Sequence, residues 1–320
     1  MSCYCSGDII RLSRIACNMT QEELCENICE LRTLSRIENG KHKVKREVYE
    51  QLMQRMNRYP HRMYAVFSGR QLELLEEREK LEASLRKHDF PRAKVHLRRF
   101  ESKIGKSIVS RQYLGKQQAV VEYCSGRMKV TEFVEKLEKN IQLTIPDYRV
   151  YIKKTYPFTE QELDTLLSLA IAYKERGEVS RGIQILEMML RSLEKEYLDA
   201  RSAMEWQILI NCNRAKMLGM LGKHQEALTL CANNLEEAKK CQYEVFFPTI
   251  LLEASWNLLE LIKSGKRGES ELEDCKAYLK LAFYLAQAGK KEKEKKIIQA
   301  FYLEEFHAEI DPETEIHFVH

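Results

Sequence analysis

Basic and polar side chains near the beginning of the chain form the pattern with the clearest chemical meaning. Arg32, Thr33 and Arg36 share one side of a predicted helix, because residues three and four apart lie on the same helical face. The fork of an arginine can donate two parallel hydrogen bonds to a guanine edge or to a phosphate. Residues 41–46 then supply four formal cations, which would suit contacts with a nucleic-acid backbone.

Short helices joined by a tight turn are predicted to position these side chains. Thr20 and Glu23 form a capping box, which satisfies free amides at the start of a helix, so a helix is expected from Gln21 to about residue 27. A turn over residues 28–30 leads to a second helix over residues 31–38. Apolar periodicity predicts further helices over residues 8–17 and 46–57.

Two short helices separated by a tight turn are typical of the helix-turn-helix, whose second helix enters the major groove of DNA. Leu34 and Ile37 would then face the core, and Gly40 would end the second helix. Gln21 begins the first helix of the pair, where a helix N-terminus favours phosphate. The predicted DNA contacts are Gln21, Arg32, Thr33, Arg36, Lys41, Lys43 and Lys45.

The same segment resembles the Xre/Cro-type helix-turn-helix over about residues 7–58. The resemblance is carried by the sequence MTQEEL at residues 19–24 and by LSRIENGK at residues 34–41. The short turn that follows the sequence ENIC at residues 26–29 is similar to that of the RRNPP regulators, which sense peptide pheromones, and most closely to their PlcR-type branch. The resemblance implies a DNA-binding head attached to a helical domain that binds a short signalling peptide.

The rest of the chain repeats a helical pattern. Turns between paired helices are predicted at His88, Gly126, Gly177, Gly222 and Gly265, which are 38, 51, 45 and 43 residues apart. This spacing suggests a tetratricopeptide unit of about 34 residues that has been lengthened. Small residues stand seven positions before three of the turns, where neighbouring helices would cross closely: Ala119, Ala170 and Ala215.

The predicted fold is therefore all-α, with an N-terminal helix-turn-helix bundle followed by an α-solenoid of tetratricopeptide-like helix pairs. The expected domains are residues 1–66, with a linker and hinge at about residues 58–70, and a repeat domain over residues 71–306. Residues 290–306 are expected to form a polar capping helix. The remaining residues, 307–320, are expected to be a tail.

The concave face of a repeat array commonly binds extended peptides. The first helix of each pair lines that face, and its register nominates Tyr113, Lys116, Tyr123, Lys174, Lys216 and Trp256 as peptide-binding residues. The family resemblance further implies asparagine side chains that hold the peptide backbone, since an amide both donates and accepts hydrogen bonds. The candidates for that role are Asn211, Asn213 and Asn257.

Composition excludes several classes of protein. The net charge of +4 is mild, and the chain has no run of 18 apolar residues and no signal-peptide pattern, so a cytoplasmic protein with no membrane span is expected. No phosphate-binding loop, metal-binding motif or nucleophile elbow is present. The expectation is a protein that is not an enzyme and needs no cofactor or metal.

The leading hypothesis is a homodimeric transcription regulator that binds an inverted-repeat operator in double-stranded DNA and responds to a short intracellular peptide. The repeat domain would supply the dimer interface. One alternative is a protein-interaction adaptor whose N-terminal bundle does not bind DNA. Another is a thiol-sensing regulator that uses Cys17, Cys25 and Cys29, although buried helix thiols are the simpler interpretation.

Overall fold

The computed structural model of the chain describes residues 6–57, 69–105, 107–194, 198 and 200–310. Every regular element in these ranges is a helix, which confirms the predicted all-α class. The chain divides into two compact units, Met1–Ala203 and Met204–His320. The N-terminal bundle thus belongs to the same compact unit as the first helix pairs, and the predicted domain boundary near residue 70 stays a prediction.

Four helices form the N-terminal bundle, which we call the head. They are α1 (Ser6–Ala16), α2 (Gln21–Cys25), α3 (Leu31–Glu38) and α4 (Arg46–Arg55). The bounds of α3 agree with the prediction. Helix α2 ends two residues earlier than predicted, because Asn27 adopts a left-handed backbone with φ of 60° that a helix cannot continue through.

Local sequence signals fix the start of α2 and the end of α3. The capping box at α2 is formed, with Glu23 N donating to Thr20 Oγ1 at 3.1 Å and Thr20 N donating to Glu23 Oε2 at 2.8 Å. Gly40 ends α3 with a φ of 69°, a backbone conformation that is sterically costly for residues with a side chain but not for glycine. The head closes over a core of fully buried apolar side chains that includes Ile10, Leu24, Leu34, Ile37 and Leu52.

Helix pairs make up the rest of the first unit. Two of the pairs are α5 (Gly69–Arg86) with α6 (Phe90–Glu101), and α7 (Ile108–Cys124) with α8 (Val130–Ile141). A 3₁₀ helix, Tyr148–Lys153, then leads to the pair α9 (Glu160–Glu175) and α10 (Val179–Leu193). The three predicted turn residues, His88, Gly126 and Gly177, have φ values of 55°, 72° and 89°.

The second unit continues the pattern. Its elements are α11 (Ala200–Met220), α12 (His224–Lys240), a 3₁₀ helix (Glu244–Phe246), α13 (Phe247–Lys263), a 3₁₀ helix (Glu269–Glu271), α14 (Leu272–Ala288) and α15 (Glu292–Phe306). Gly222 and Gly265 have left-handed φ values of 74° and 70°. At the last turn Lys290, rather than Gly289, has the positive φ, so α15 starts two residues after the predicted position.

Three predictions at segment ends have different outcomes. Residues 58–68 of the predicted linker lie outside the described residues, and α5 begins at Gly69. The predicted tail begins at residue 307, but Ile310 is buried in the core of the second unit. Residues 311–320 lie outside the described part of the chain.

One segment, Glu244–Lys263, is long and apolar enough by composition to cross a membrane, with a hydropathy of 1.4. It consists mainly of α13, and 56% of it is buried inside the protein. Leu251, Leu258 and Leu259 of this helix belong to the hydrophobic core of the second unit. The segment is therefore buried to the extent expected of a helix in the core of a protein.

Two helices of the second unit cross closely at Gly219. A Cβ atom at this position would lie 2.4 Å from Cζ3 of Trp256 and 2.5 Å from Oδ1 of Asn257, both on α13. Such distances are far below van der Waals contact, so a larger residue would displace the side chains of Trp256 and Asn257 or shift α13 relative to α11.

We expect the substitution Gly219→Ala to lower the free energy of unfolding by about 1–3 kcal/mol through overpacking. In an open helix the same change would raise it by roughly 0.5–1 kcal/mol, so the sign of the effect tests the crossing. Urea denaturation of the full chain measures it. The control is Met220→Ala at a neighbouring exposed position, which should change stability by less than about 0.5 kcal/mol.

Candidate functional site

Helix α3 presents a polar outer face whose residues agree with the predicted reading positions. Arg32 and Arg36 are exposed and Thr33 is partly exposed, whereas Leu34 is 0% and Ile37 is 2% exposed. Neither guanidinium group forms a hydrogen bond or an ion pair with another described residue. Both guanidinium groups are therefore available to an external acceptor.

The basic loop after α3 has the same property. Lys41, Lys43 and Lys45 are exposed and make no ion pair within the described ranges. Arg46 instead pairs with Glu50 on its own helix, with Nε and Oε1 2.9 Å apart. The loop thus offers three unpaired ammonium groups beside the outer face of α3.

A buried carboxylate holds α3 against α1 and α2. Glu38, which is 3% exposed, accepts hydrogen bonds from Nε and Nη2 of Arg14 at 2.7 and 2.9 Å. It also accepts one from Nε2 of Gln21 at 2.6 Å. The Arg14 guanidinium donates in addition to the carbonyl of Met19 at 2.9 Å, so it ties the end of α1 to the start of α2.

This geometry gives Gln21 a structural role that the sequence did not predict. One donor of its amide is engaged by Glu38, and a side-chain amide has only two. At most one donor of the Gln21 side chain remains for a DNA phosphate. The contribution of Gln21 to the orientation of α3 is evident in the structure, whereas its predicted DNA contact stays a prediction.

Of the two predicted peptide-binding tyrosines of the first unit, Tyr113 is buried and Tyr123 is partly exposed. Tyr113 is 3% exposed, donates to Glu82 Oε1 at 3.1 Å and lies 4.2 Å beneath the guanidinium of Arg78. Burial raises the pKa of its phenol. The Tyr123 ring stacks on Phe133, with centroids 4.4 Å apart. Tyr113 is thus a core residue in this structure, contrary to the expectation from helix register, which does not reveal side-chain burial.

The predicted lysines of the first unit are paired with carboxylates. Lys116 Nζ lies 2.8 Å from Asp164 Oδ2, and their side chains are 11% and 43% exposed. Lys174 Nζ lies 2.8 Å from Glu175 Oε1, and the lysine side chain is 14% exposed. A ligand carboxylate would have to compete with these acids for the two ammonium groups.

In the second unit, Asn257 is also a core residue rather than an open groove residue. It is 0% exposed, its Nδ2 donates to the carbonyl of Glu253 at 2.7 Å, and its Oδ1 lies 3.0 Å from Nδ1 of His224. Trp256 is partly buried and meets the His224 ring edge-on at 5.7 Å. The close crossing at Gly219 explains this burial.

The other candidates of the second unit are more accessible. Asn213 is partly exposed and donates to the carbonyl of Leu209 at 2.9 Å, one helical turn earlier. Asn211 is partly exposed as well. Lys216 is exposed and reaches the buried Glu253, with Nζ and Oε1 3.4 Å apart. Asn211, Asn213 and Lys216 therefore remain candidates for ligand contact.

A cavity of about 630 Å³ lies in the second unit but includes none of the predicted peptide-binding residues. Several of its polar groups are already paired, Lys223 with Glu226 and Gln225 with Arg267. Its lining residues are Arg214, Leu218, Gly222, Lys223, His224, Gln225, Glu226, Thr229, Leu230, Asn233, Leu261 and Lys266.

Solved structures share this architecture. Bacillus thuringiensis PlcR in complex with the peptide PapR7 and DNA aligns with a TM-score of 0.59 at 19% identity, covering 92% of this chain and 98% of that one. PlcR in its apo form aligns with a TM-score of 0.57 at 16% identity, covering 92% and 97%. ComR from S. thermophilus in complex with DNA and its signalling peptide ComS aligns at 0.50 and 14% identity, covering 94% and 99%.

The chain has the fold of PlcR and ComR. The resemblance to RRNPP regulators inferred from the sequence is thereby confirmed at the level of the fold, and it extends over both the head and the repeats. No protein-family model and no curated protein sequence matches the chain.

The three described cysteines of the head are poorly suited to redox sensing. Cys17 and Cys25 are buried, and burial raises the pKa of the Cys25 thiol. Burial also raises the pKa of Cys29 to about 11, so little thiolate forms near neutral pH. Among the described residues no group of three or more histidine, cysteine or acidic side chains is placed to hold a metal. These observations argue against the thiol-sensing alternative.

The sequence did not reveal Arg55, the largest fully buried side chain of the head. Arg55 is 2% exposed, and its Nη1 donates to the carbonyl of Glu26 at 2.9 Å. Its Nη2 donates to the hydroxyl of Tyr156 at 2.5 Å, beyond the head. An arginine at the end of an amphipathic helix gives no local signal of burial, because its partner lies 101 residues away.

We expect the substitution Glu38→Gln to lower the free energy of unfolding of the head by about 3 kcal/mol, because it leaves the guanidinium of Arg14 without its carboxylate. Hydrogen exchange of the α1–α3 amides measures the local loss. The matched control is Glu50→Gln, which removes the partner of Arg46, a side chain that is 69% exposed. That surface pair should contribute less than about 1 kcal/mol. Equal losses in the two variants would contradict the central role of Glu38.

Proposed function

We propose that this protein is a sequence-specific DNA-binding transcription regulator whose repeat array binds a short signalling peptide. The observation that carries the proposal is the outer face of α3, where Arg32 and Arg36 are exposed and unpaired while Leu34 and Ile37 anchor the helix in the core. Two arginines without intramolecular partners, on a helix that is firmly packed against the core, are suited to bind in the major groove.

The remaining cations of the head support the same function. Lys41, Lys43 and Lys45 lie in the loop directly after α3 and are free to neutralise phosphates. Phosphate contacts position a protein on DNA, whereas contacts with base edges select the sequence. Arg32, Thr33 and Arg36 would therefore specify the operator, and the three lysines would fix the register of α3.

A homodimer would place two copies of α3 about 34 Å apart on an inverted repeat. The head is a bundle of four short helices, so the larger interface would come from the repeat array. The solved PlcR and ComR structures in complex with DNA and a peptide support the proposed DNA and peptide partners, since the chain shares their fold over 92–94% of its length.

Peptide-binding groups are proposed on the first helices of the pairs within each unit. In the first unit, Lys116 and Lys174 hold acids that an incoming carboxylate could replace, and Tyr123 would add apolar surface. Each ammonium group would keep a partner in such an exchange, and the displaced carboxylates of Asp164 and Glu175, which are 43% and 44% exposed, would return to water.

In the second unit, Asn211, Asn213 and Lys216 offer donors, and Trp256 would add apolar surface.

An adaptor that does not bind DNA is the remaining alternative. It leaves the exposed arginine pair and the three free lysines of the head without a role. Salt dependence separates the two functions, because binding that displaces counterions from DNA weakens steeply as salt rises.

In binding assays with duplexes selected from a random pool at low salt, we expect Arg32→Ala and Arg36→Ala each to weaken binding by about 1–3 kcal/mol. The loss should concentrate at particular base pairs. Alanine at Lys41, Lys43 or Lys45 should weaken all sequences alike and reduce the salt slope by about 1 per residue.

Arg11→Ala is the matched control, since Arg11 is an exposed arginine on α1. The affinity of the Arg11→Ala variant for the selected duplex should stay within about twofold of that of the parent protein. Failure of the full chain to bind any duplex at low salt would exclude the DNA-binding function and leave the adaptor.

A library of short random peptides passed over the immobilised full-length protein tests the sensing function. With amidated C-termini in the library, we expect enrichment of peptides that contain aspartate or glutamate, and Lys116→Ala and Lys216→Ala should each weaken the binding of the enriched peptides by roughly tenfold. The control is Lys240→Ala, an exposed residue on α12 that pairs with Glu237. Enrichment of no peptide would contradict peptide sensing while leaving DNA binding intact.

A further inference from the structure

A segment between α8 and α9 contacts both the head and the helix pairs of the first unit. We call it the strap and define it as residues 148–158, which comprise the 3₁₀ helix Tyr148–Lys153 and the five residues after it. Its aromatic side chains form one cluster: the Tyr151 and Tyr156 rings lie 4.3 Å apart, and Tyr156 and Phe158 lie 4.9 Å apart.

One side of the strap is fixed to the helix pairs. Glu138 on α8 accepts hydrogen bonds from the Tyr148 hydroxyl at 3.2 Å and from Nη2 of Arg149 at 2.5 Å. Ser192 on α10 donates its hydroxyl to the carbonyl of Tyr156 at 2.7 Å. Arg191, also on α10, donates to the carbonyl of Ile152. Movement of α8 or α10 is therefore transmitted to the strap.

The other side of the strap is fixed to the head. The Tyr151 hydroxyl donates to Glu26 Oε1 at 2.7 Å. Nδ2 of Asn27 lies 3.3 and 3.4 Å from the hydroxyl oxygens of Tyr151 and Tyr156. Beside the strap, the backbone amide of Glu160 donates to Oδ1 of Asn57 at 2.9 Å, just beyond α4.

Arg55 is the centre of this contact. Its guanidinium lies 4.7 Å from the centroid of the Tyr156 ring and donates to the hydroxyl of the same residue. No carboxylate of a described residue forms an ion pair with it, and its buried Nε has no hydrogen-bond partner. Burying a cation costs free energy unless all of its donors find acceptors. The hydrogen bonds of Arg55 therefore hold the head, but they offset only part of the cost of removing its guanidinium from water.

We propose that the strap fixes the orientation of the DNA-binding head on the first unit, with Arg55 and Tyr156 as positioning residues that carry a rearrangement of the helix pairs to α3. This inference rests on the proposed function. The contact lies just after α2 and on α4, so it leaves Arg32 and Arg36 free. It would therefore control where α3 points without covering its reading face.

A rigid strap has a measurable consequence for a dimer on DNA. Two heads held at fixed orientation accept only one spacing between half-sites, because about 10–10.5 base pairs make one turn of the duplex. Two loosely held heads would tolerate other spacings. The affinity of one head for one half-site would be unchanged, since none of its reading residues is altered.

The test uses the full chain and duplexes that carry two copies of the selected half-site at varied spacing. The variant Tyr156→Phe removes the acceptor for Arg55 and keeps the ring. The measured quantity is the ratio of the affinity at the optimal spacing to the affinity at a spacing displaced by about half a turn. We expect Tyr156→Phe to reduce this ratio roughly tenfold. Binding to a single half-site should stay within about twofold.

Tyr113→Phe is the matched control, because this buried hydroxyl lies outside the strap and donates to Glu82 on α5. It should keep the parent spacing preference. A second variant, Asn27→Gly, removes an amide that contacts both strap tyrosines while allowing the left-handed φ of 60° at this position. Unchanged spacing preference in both Tyr156→Phe and Asn27→Gly would overturn the inference.

Hydrogen exchange provides a measurement that does not depend on DNA. In the free full chain, the amides of α2 and α4 should exchange roughly tenfold faster in Tyr156→Phe than in the parent, and at the parent rate in Tyr113→Phe. Equal rates in all three proteins would overturn the strap as an anchor, whatever the protein binds. Faster exchange in a chain that binds no duplex would support the anchor and refute the DNA-binding function.

Discussion

The buried carboxylate of Glu38 is the constraint on which the head depends. It lies at the end of α3 and is held by Arg14 of α1 and Gln21 of α2, so a single group fixes three helices. A carboxylate that is 3% exposed is tolerable only because these donors replace its water. The orientation of α3, and hence the direction of Arg32 and Arg36, follows from this interaction.

Features that depend on neighbouring residues could be predicted from the sequence. The capping box that marks the start of α2 lies within four consecutive residues, from Thr20 to Glu23. The five turn residues from His88 to Gly265 all adopt positive φ, because each ends a helix where the backbone must reverse. The alternation of polar and apolar residues along α3 predicted which of its side chains are exposed. The all-α class and the series of helix pairs follow from the same local signals.

Features that depend on distant residues could not be predicted in this way. Helix register placed Tyr113 and Asn257 on the inner face, but burial is decided by what crosses that face. Asn257 is enclosed because α11 approaches α13 at Gly219, and Tyr113 because Arg78 covers its ring. Arg55 looks like an ordinary surface residue until the strap, far along the chain, is packed against it. Each of these outcomes requires knowledge of tertiary packing.

The pairing of groove lysines with acids constrains how a ligand could act. A ligand shifts a conformational equilibrium only through a difference in affinity between two states. A carboxylate that replaced Asp164 at Lys116 would free an acid on α9, the helix that follows the strap and contributes Glu160 to the contact with Asn57. The nearest mechanical route from such an exchange to the head therefore passes through α9 and the strap. A displacement of the strap would reach α4 through the Tyr156 hydroxyl that Arg55 contacts.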